Sequence, residues 1–305
     1  MARSLHIPGA MDEFAARSLA SLSDFHRELD AFNHERLRPC DDSSAWRQRI
    51  DRAHRMTLAE GAWIERERSV VAPMLRRVPK DADAFLAWFD GLAAAGPGQG
   101  DPLFPWLANT ATRDEMIWFL RQELAGEAGF DDLVALTQVG LAGQAKLELA
   151  RNYWDEMGRG SAKGMHGPML ASLAAEIGET GEPVWEALAL ANLMTALACN
   201  RHLAYQSIGA LGAIELTAPG RCEQVHAGLR RLGFDGNARK YYAVHASIDI
   251  KHSLAWNREV IRPLVSNDPS LARPIAEGAL LRLVAGARCF ERYRDELGVV
   301  VRAAS

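Results

Sequence analysis

Apolar residues recur at intervals of three and four positions along almost the whole chain, whereas alternating apolar and polar stretches of strand length are scarce. An interval of three or four places side chains on one face of an α-helix, and alternation is typical of a strand. Alanine, leucine, arginine and glutamate fill these stretches, and all four favour helices. The pattern therefore predicts an all-α protein. The chain has no internal repeat, which favours a compact bundle over a solenoid.

Glycine, proline and capping residues interrupt this pattern and set the limits of the predicted helices. Residues 11–77 are expected to form two or three helices, with a break at 38–44. The segment AGPGQGDP at 95–102 cannot continue a helix and is expected to be a loop. We expect this loop to separate an N-terminal helical extension, residues 1–95, from a catalytic core, residues 106–305. One continuous domain is the alternative.

Short turns are expected to join the helices of the core. One helix should begin near Thr112 and run towards Leu136, after which the chain reverses at 140–143. The next helix starts near Ala145 and ends in the glycine-rich stop at 157–160. His166 is expected in the loop after this stop or in the first turn of the next helix. Further helices are expected at 169–177, 183–213, 222–232, 238–261 and 274–297.

Composition and charge narrow the classes of partner. The 305 residues are 48% hydrophobic and carry a formal net charge of -4, which gives no basic surface for nucleic acid or an anionic membrane. No apolar run has the length of a membrane span, and the first residues lack the pattern of a secretory signal. The cysteines are too far apart for a compact disulfide framework or a CxxC site. We expect a cytoplasmic protein with a small-molecule ligand and no nucleic-acid or membrane partner.

The motif with the clearest chemistry is H-x3-D-x2-H, formed by His245, Asp249 and His252. At 3.6 residues per turn, these side chains fall within an arc of about 60° on one helix face. Two imidazoles and a carboxylate suit iron or manganese and leave positions open for oxygen or substrate. A solvated polar face is the alternative interpretation, but the apolar neighbours of the motif favour a buried metal site.

Carboxylates and a further histidine on other helices are needed to complete such a site. If the helices on either side of the turn at 140–143 form an antiparallel hairpin, Glu127 and Glu156 lie at the same level. Glu123, one turn before Glu127, is a second candidate, and His166 can fold back towards Glu156. Glu215 lies in an apolar, glycine-containing stretch where an unpaired carboxylate would be costly.

These residues carry a family resemblance. The segment NYWDEMGRG at 152–160, the following His166, the isolated Glu215 and the H-x3-D-x2-H motif occur in an order that resembles the heme-oxygenase-like diiron oxidases, a family also described as iron-containing redox enzymes. The resemblance covers about residues 114–252 and the last helix, and it is weak over the first hundred residues. It implies a heme-oxygenase-like helical bundle with an N-terminal helical extension.

The resemblance also implies a set of ligands for two non-heme irons. Its members here are Glu127, Glu156, His166, Glu215, His245, Asp249 and His252. Glu127 is preferred to Glu123 because of its level in the hairpin, and Glu215 matches an additional carboxylate of the second iron. No heme is implied, and no catalytic residue is indicated beyond the metal ligands. Manganese remains an alternative to iron.

The function implied is an oxygen-activating oxidase or oxygenase. Dioxygen would be the cosubstrate, an external reductant the electron donor, and a small amine or acid of a biosynthetic pathway the substrate. N-oxygenation, desaturation and oxidative C–C cleavage all fit, since the fold does not choose among them. The residues that bind the substrate are unknown; Arg151, Arg201 and Lys251 lie near ligand helices and could hold a carboxylate. A homodimer is compatible with the sequence.

Two other functions remain open at the level of sequence. The first is a metal-independent enzyme on the same helical fold, related to thiaminases or cofactor-maturation enzymes. It would need either a nucleophilic cysteine, for which Cys199 and Cys222 are available, or a substrate-binding set of histidine and tyrosine. The second is a non-catalytic iron-binding bundle. Metal ligands for storage and for catalysis are the same residue types, so sequence does not separate this bundle from the oxygen-activating oxidase.

Overall fold

The computed structural model describes residues 19–40, 44–126, 129–178 and 181–300. Within these ranges the regular secondary structure is helical, apart from one isolated β-bridge between Met157 and Met165. The all-α prediction is therefore confirmed. No helix in these ranges has both the length and the hydropathy needed to cross a membrane.

In the described residues, four α-helices lie before the predicted core or at its start. They are α1 (Leu19–Leu37), α2 (Trp46–Val71), α3 (Ala82–Ala95) and α4 (Leu103–Asn109). The loop predicted at 95–102 lies between α3 and α4. A buried hydrogen bond of 2.7 Å from Asn33 of α1 to Asn192 joins this part of the chain to the core. The division into an extension and a core stays a prediction.

The core contains nine α-helices in the described residues. They are α5 (Arg113–Gly126), α6 (Phe130–Thr137), α7 (Gly143–Glu156), α8 (His166–Ile177), α9 (Trp185–Cys199), α10 (Ala204–Arg231), α11 (Lys240–Ala255), α12 (Arg262–Asn267) and α13 (Ala272–Leu297). A π-helical segment, Trp256–Ile261, joins α11 to α12.

Three helix limits differ from the sequence prediction. The helix expected from Thr112 to Leu136 is divided into α5 and α6, and Gly129 precedes α6 with a left-handed φ of 84°. The helix expected at 183–213 is interrupted by a 3₁₀ turn, Arg201–Leu203. The expected break before Cys222 is absent, and α10 continues through Pro219. Buried side chains on both sides of the proline hold this helix together, because packing overrides local propensity.

The two long helices α10 and α13 touch through their backbones. A Cβ on Gly278 would lie 1.8 Å from the carbonyl oxygen of Gln206, and a Cβ on Gly209 would lie 1.8 Å from that of Ile275. Only glycine permits so close an approach at these two positions. The contact fixes α10 and α13 relative to each other, and both helices contribute side chains to the cavity described below.

Candidate metal centre

The H-x3-D-x2-H motif lies on α11, and its three side chains are buried with 3–6% of their surface exposed. On other faces of the same helix, Ser247 and Ile250 are exposed. The helix therefore presents two imidazoles and a carboxylate to the protein interior, as the motif predicts. Buried side chains of this kind require partners, because an isolated charge is costly inside a protein.

Glu156 and His166 are brought together by the loop between α7 and α8. Glu156 is the last residue of α7 and His166 the first of α8. The β-bridge between Met157 and Met165 closes the loop directly beside them. The chain crosses itself tightly here, since a Cβ on Gly158 would lie 2.4 Å from the carbonyl carbon of Gly164. As a result, Nδ1 of His166 lies 2.9 Å from Oε2 of Glu156.

The buried side chains form two groups that share Glu156. In the first, potential ligand atoms of Glu156, His166 and His245 lie within 4.8 Å of one another. In the second, those of Glu156, Glu215 and His252 do so. Oε2 of Glu156 is 3.6 Å from Nε2 of His245, while its Oε1 is 3.7 Å from Nδ1 of His252. Glu156 thus turns one oxygen towards each group.

Glu215 belongs to the second group, and Asp249 lies beside it. Nδ1 of His252 lies 3.3 Å from Oε2 of Glu215 and 3.9 Å from Oδ1 of Asp249. Glu215 comes from the middle of α10, and its Oε1 accepts a 2.6 Å hydrogen bond from the Asn152 amide of α7. Three helices therefore meet at this group. Pro219, four residues after Glu215, has no N–H to continue the helical hydrogen bonding at this point.

The imidazoles of His245 and His252 are each oriented by a hydrogen bond at one ring nitrogen. Nδ1 of His245 donates to the carbonyl oxygen of Tyr241 at 2.8 Å, and Nε2 of His252 lies 3.2 Å from Oδ2 of Asp155. A neutral imidazole carries a proton on one nitrogen and a lone pair on the other. These bonds therefore direct the lone pairs of both rings towards the carboxylates. Metal-binding histidines are oriented in the same way.

Several buried polar atoms in the centre have no hydrogen-bond partner. They are Nε2 of His166, Oδ1 of Asp249 and Nδ1 of His252. Most buried polar atoms in proteins are paired, so each exception needs an explanation. Imidazole nitrogens and carboxylate oxygens that face one another at these distances are the donor set that a cation requires. The residues present therefore fit a metal ion.

Without a metal, the centre binds protons. Burial opposes charge on His245, but Glu156 and Asp249 outweigh it and raise its pKa to about 9. Burial likewise opposes charge on His252, whose pKa Glu215 and Glu156 raise to about 10. Burial and the charge of Glu215 raise the pKa of Asp249 well above its ordinary value. The negative charge of the carboxylates therefore favours the protonated forms of these side chains, and a bound cation would displace the protons.

A cavity opens beside the centre. Glu156, His166, Glu215, His245 and Asp249 form one wall, and Glu123 of α5 also lines the cavity. Glu127, the first-helix ligand preferred from the sequence, lies outside the described residues, so that assignment stays a prediction. The remaining walls are apolar or aromatic, except for the guanidinium groups of two arginines, Arg221 of α10 and Arg282 of α13.

The cavity arginines were missed by the sequence interpretation, which considered three other basic residues. Arg151 pairs with Glu148, Arg201 donates to backbone carbonyls at the end of α6, and Lys251 is exposed. None of these three lines the cavity. A signal for Arg282 was available, since it interrupts the apolar stripe of α13 that includes Ile275, Ala279, Gly286 and Cys289.

The chain is similar to one known protein family and to solved structures. Residues 117–287 match the family model described as iron-containing redox enzyme. A domain of unknown function with a heme oxygenase-like fold from Shewanella denitrificans OS217 is 16% identical, with a TM-score of 0.50, over 73% of this chain and 95% of that one. A CADD-like protein of unknown function from Nostoc punctiforme PCC 73102 is 17% identical, with a TM-score of 0.44, over 78% and 98%. No curated protein matches this chain significantly.

Proposed function

The chain belongs to the family of iron-containing redox enzymes, and from this premise we propose that it is an oxygen-activating oxidase with a non-heme centre of two irons. The observation that carries the proposal is the pair of buried ligand groups that share Glu156. A carboxylate that presents one oxygen to each group could serve as a ligand in both. A heme would instead need an axial ligand above an open, apolar slot, and these imidazoles converge with carboxylates.

We assign the metal ligands as follows. Glu156, His166 and His245 would hold one iron, and Glu156, Glu215, Asp249 and His252 the other. Glu127 remains our choice as the ligand from the first core helix. Glu123 is the alternative, because it lines the cavity beside the centre. Imidazole and carboxylate also suit manganese, so metal analysis must identify the ion.

The chain's own residues position and dry this centre. Two irons held by these residues would supply redox chemistry with dioxygen that oxidises a C–H or N–H bond of the substrate. Asp155 orients His252, the Tyr241 carbonyl orients His245, and Asn152 orients Glu215. The burial of all these ligands excludes bulk water from the reacting groups. The substrate is a small metabolite, and the electrons for further turnovers come from an external donor.

Oxygen uptake tests this function. Protein reconstituted anaerobically with ferrous iron should consume dioxygen when it is mixed with oxygenated buffer. His245→Ala should abolish this uptake, whereas the exposed His202→Ala should retain it. Uptake by His245→Ala at the wild-type rate would contradict the proposal. Glu123→Ala and Glu127→Ala, compared in the same assay, identify the first-helix ligand.

The two alternative functions give different results. A non-catalytic iron-binding bundle would bind iron without consuming oxygen. A metal-independent enzyme would instead use a nucleophilic cysteine or a substrate-binding set of histidine and tyrosine. Of the two candidate cysteines, Cys222 lines the cavity whereas Cys199 does not. If the protein is a metal-independent enzyme with Cys222 as its nucleophile, Cys222→Ser should abolish its activity. If the protein is the proposed oxidase, the same variant should keep its iron-dependent oxygen uptake.

A further inference from the structure

We propose that the substrate reaches the metal centre through a surface cleft beside the loop at 95–102, and that Phe104 and Arg221 form the partition that it must pass. The molecule admitted is the substrate of the proposed function, so its identity rests on that proposal, whereas the route can be tested without metal. Two residues outside the set of metal ligands would then control access to the centre.

The cavity at the centre is too small for a metabolite as it stands. Its volume is about 50 Å³, which holds about one or two water molecules, since each occupies about 30 Å³ in the liquid. Sites that bind small organic molecules have volumes of about 300–1,000 Å³. The cavity must therefore join another space before a substrate can lie beside the ligands.

A surface cleft of the required size lies on the other side of two cavity residues. It has a volume of about 350 Å³, and its walls come from the loop at 95–102, from α4 and from α10. Phe104 of α4 and Arg221 of α10 line both the cleft and the cavity. These two side chains therefore stand between the two spaces, and their displacement would join them.

Aromatic contacts hold this partition closed. The ring of Phe104 packs edge to face on that of Phe290, with 4.9 Å between the ring centres. The guanidinium carbon of Arg221 lies 5.8 Å from the ring centre of Phe104 and 5.5 Å from that of Phe290. From the cleft side the loop packs directly on the same group, because a Cβ on Gly98 would lie 3.1 Å from the Phe290 ring. Each aromatic contact is individually weak, which suits a partition that opens for entry.

A second hollow beside the cavity is a poorer route. It shares Gly126, Phe130, Ile214 and Arg282 with the cavity, but its volume is only about 10 Å³. That is about the least space that can hold a single water molecule. A metabolite would have to displace the packed core around this hollow, whereas at the cleft only the partition must move.

Alkylation of Cys222 measures entry into the cavity without iron or catalysis, because this thiol lines the cavity and is only 8% exposed. The full metal-free chain, with Cys40→Ser and Cys199→Ser to remove the more accessible thiols, is treated with iodoacetamide. Peptide mass spectrometry follows the adduct on Cys222. Cys289 is fully buried, and burial raises its pKa to about 12, so it should stay unreactive.

Two substitutions should change this rate in opposite directions. Gly220 lines the cleft, and a Cβ there would meet nothing within 4 Å, so Gly220→Trp should fill the cleft and slow alkylation at least tenfold. Phe104→Ala should remove one side of the partition and speed alkylation at least tenfold. Gly61→Trp, at a helical glycine of α2 with equally open surroundings, should leave the rate unchanged.

A further pair of variants separates opening of the partition from loosening of the whole core. Phe85→Ala truncates an equally buried ring that lines neither the cavity nor the cleft, and it should speed alkylation less than Phe104→Ala does. Adding Gly220→Trp to Phe104→Ala should cancel most of the gain, because the reagent would still enter by the cleft.

Three results would overturn the proposed route. They are an unchanged rate in Gly220→Trp, a gain in Phe104→Ala that persists when Gly220→Trp is added, and an equal gain in Phe85→Ala. Iron content is measured separately, and Gly220→Trp should hold as much iron as the wild type. A wild-type protein that binds no iron would refute the proposed function, while alkylation of the metal-free chain would still decide the route.

Discussion

Replacing Asn152 with leucine tests whether the orientation of Glu215 matters for metal binding. The Asn152 amide donates a 2.6 Å hydrogen bond to Oε1 of Glu215, and both side chains are buried. Leucine has a similar size and cannot donate. The Glu215 carboxylate would then lose the group that holds it towards His252.

The structure separates the effect on stability from the effect on metal affinity. A hydrogen bond to a charged group contributes about 1.5–3 kcal/mol. In the wild type, however, Oδ1 of Asn152 is buried without a partner, which already costs about 1–3 kcal/mol and which leucine removes. The metal-free protein should therefore lose about 1 kcal/mol or less. Loss of a group that orients a ligand lowers metal affinity about 10–100-fold, equivalent to about 1.4–2.7 kcal/mol.

The assay is a competitive titration of iron against a chelator, combined with urea unfolding of the metal-free protein. Asn192→Leu is the matched control. Its amide is also buried, but both ends are paired, donating to the His26 carbonyl at 2.9 Å and accepting from Asn33 at 2.7 Å. That variant should lose more stability than Asn152→Leu and keep its metal affinity. Unchanged iron affinity in Asn152→Leu would refute the role given to Glu215.

Two further predictions concern the helix crossing and the charge of the centre. Gly278→Ala should destabilise the protein by about 3 kcal/mol or more, because its Cβ would meet the Gln206 carbonyl. Gly61→Ala is the control: its Cβ would meet nothing within 4 Å, so it should be neutral or slightly stabilising. Thermal unfolding measures both effects. In metal-free protein the pKa values of His245 and His252, about 9 and about 10, exceed the ordinary 6.5, so the folded state retains protons that the unfolded state releases as pH rises. Its free energy of unfolding should fall between pH 6.5 and 9 by up to about 1.4 kcal/mol per pH unit and group, as urea titrations would measure, and iron loading should abolish that fall.

Local sequence determines the parts of the centre that the motifs predicted. The spacing of His245, Asp249 and His252 fixes their common helix face, whatever packs against it. The glycine-rich segment after Glu156 ends α7, and the chain then folds back so that α8 begins with His166 beside Glu156. These features depend on residues close together in the chain, so they could be predicted without the tertiary structure.

Features that depend on distant packing could not be predicted in the same way. Proline usually ends a helix, yet α10 continues through Pro219. The helical turns before and after Pro219 are both buried against other helices, and this packing outweighs the local preference. The division between α5 and α6 altered the simple hairpin from which the level of Glu127 was inferred. Arg221 and Arg282 come from helices far apart in sequence, and only the close crossing of α10 and α13 places them in one cavity.

Metal stoichiometry of the wild type and two variants tests the two-iron centre most directly. Each protein is loaded anaerobically with ferrous iron, freed of excess metal and analysed by elemental mass spectrometry against protein concentration. Wild-type protein should hold about two irons per chain. His166→Ala, which alters one ligand group, should retain about one, and Glu156→Ala, which alters both, should retain almost none. A wild-type protein that binds no iron, or a Glu156→Ala variant that still binds two, would contradict the account.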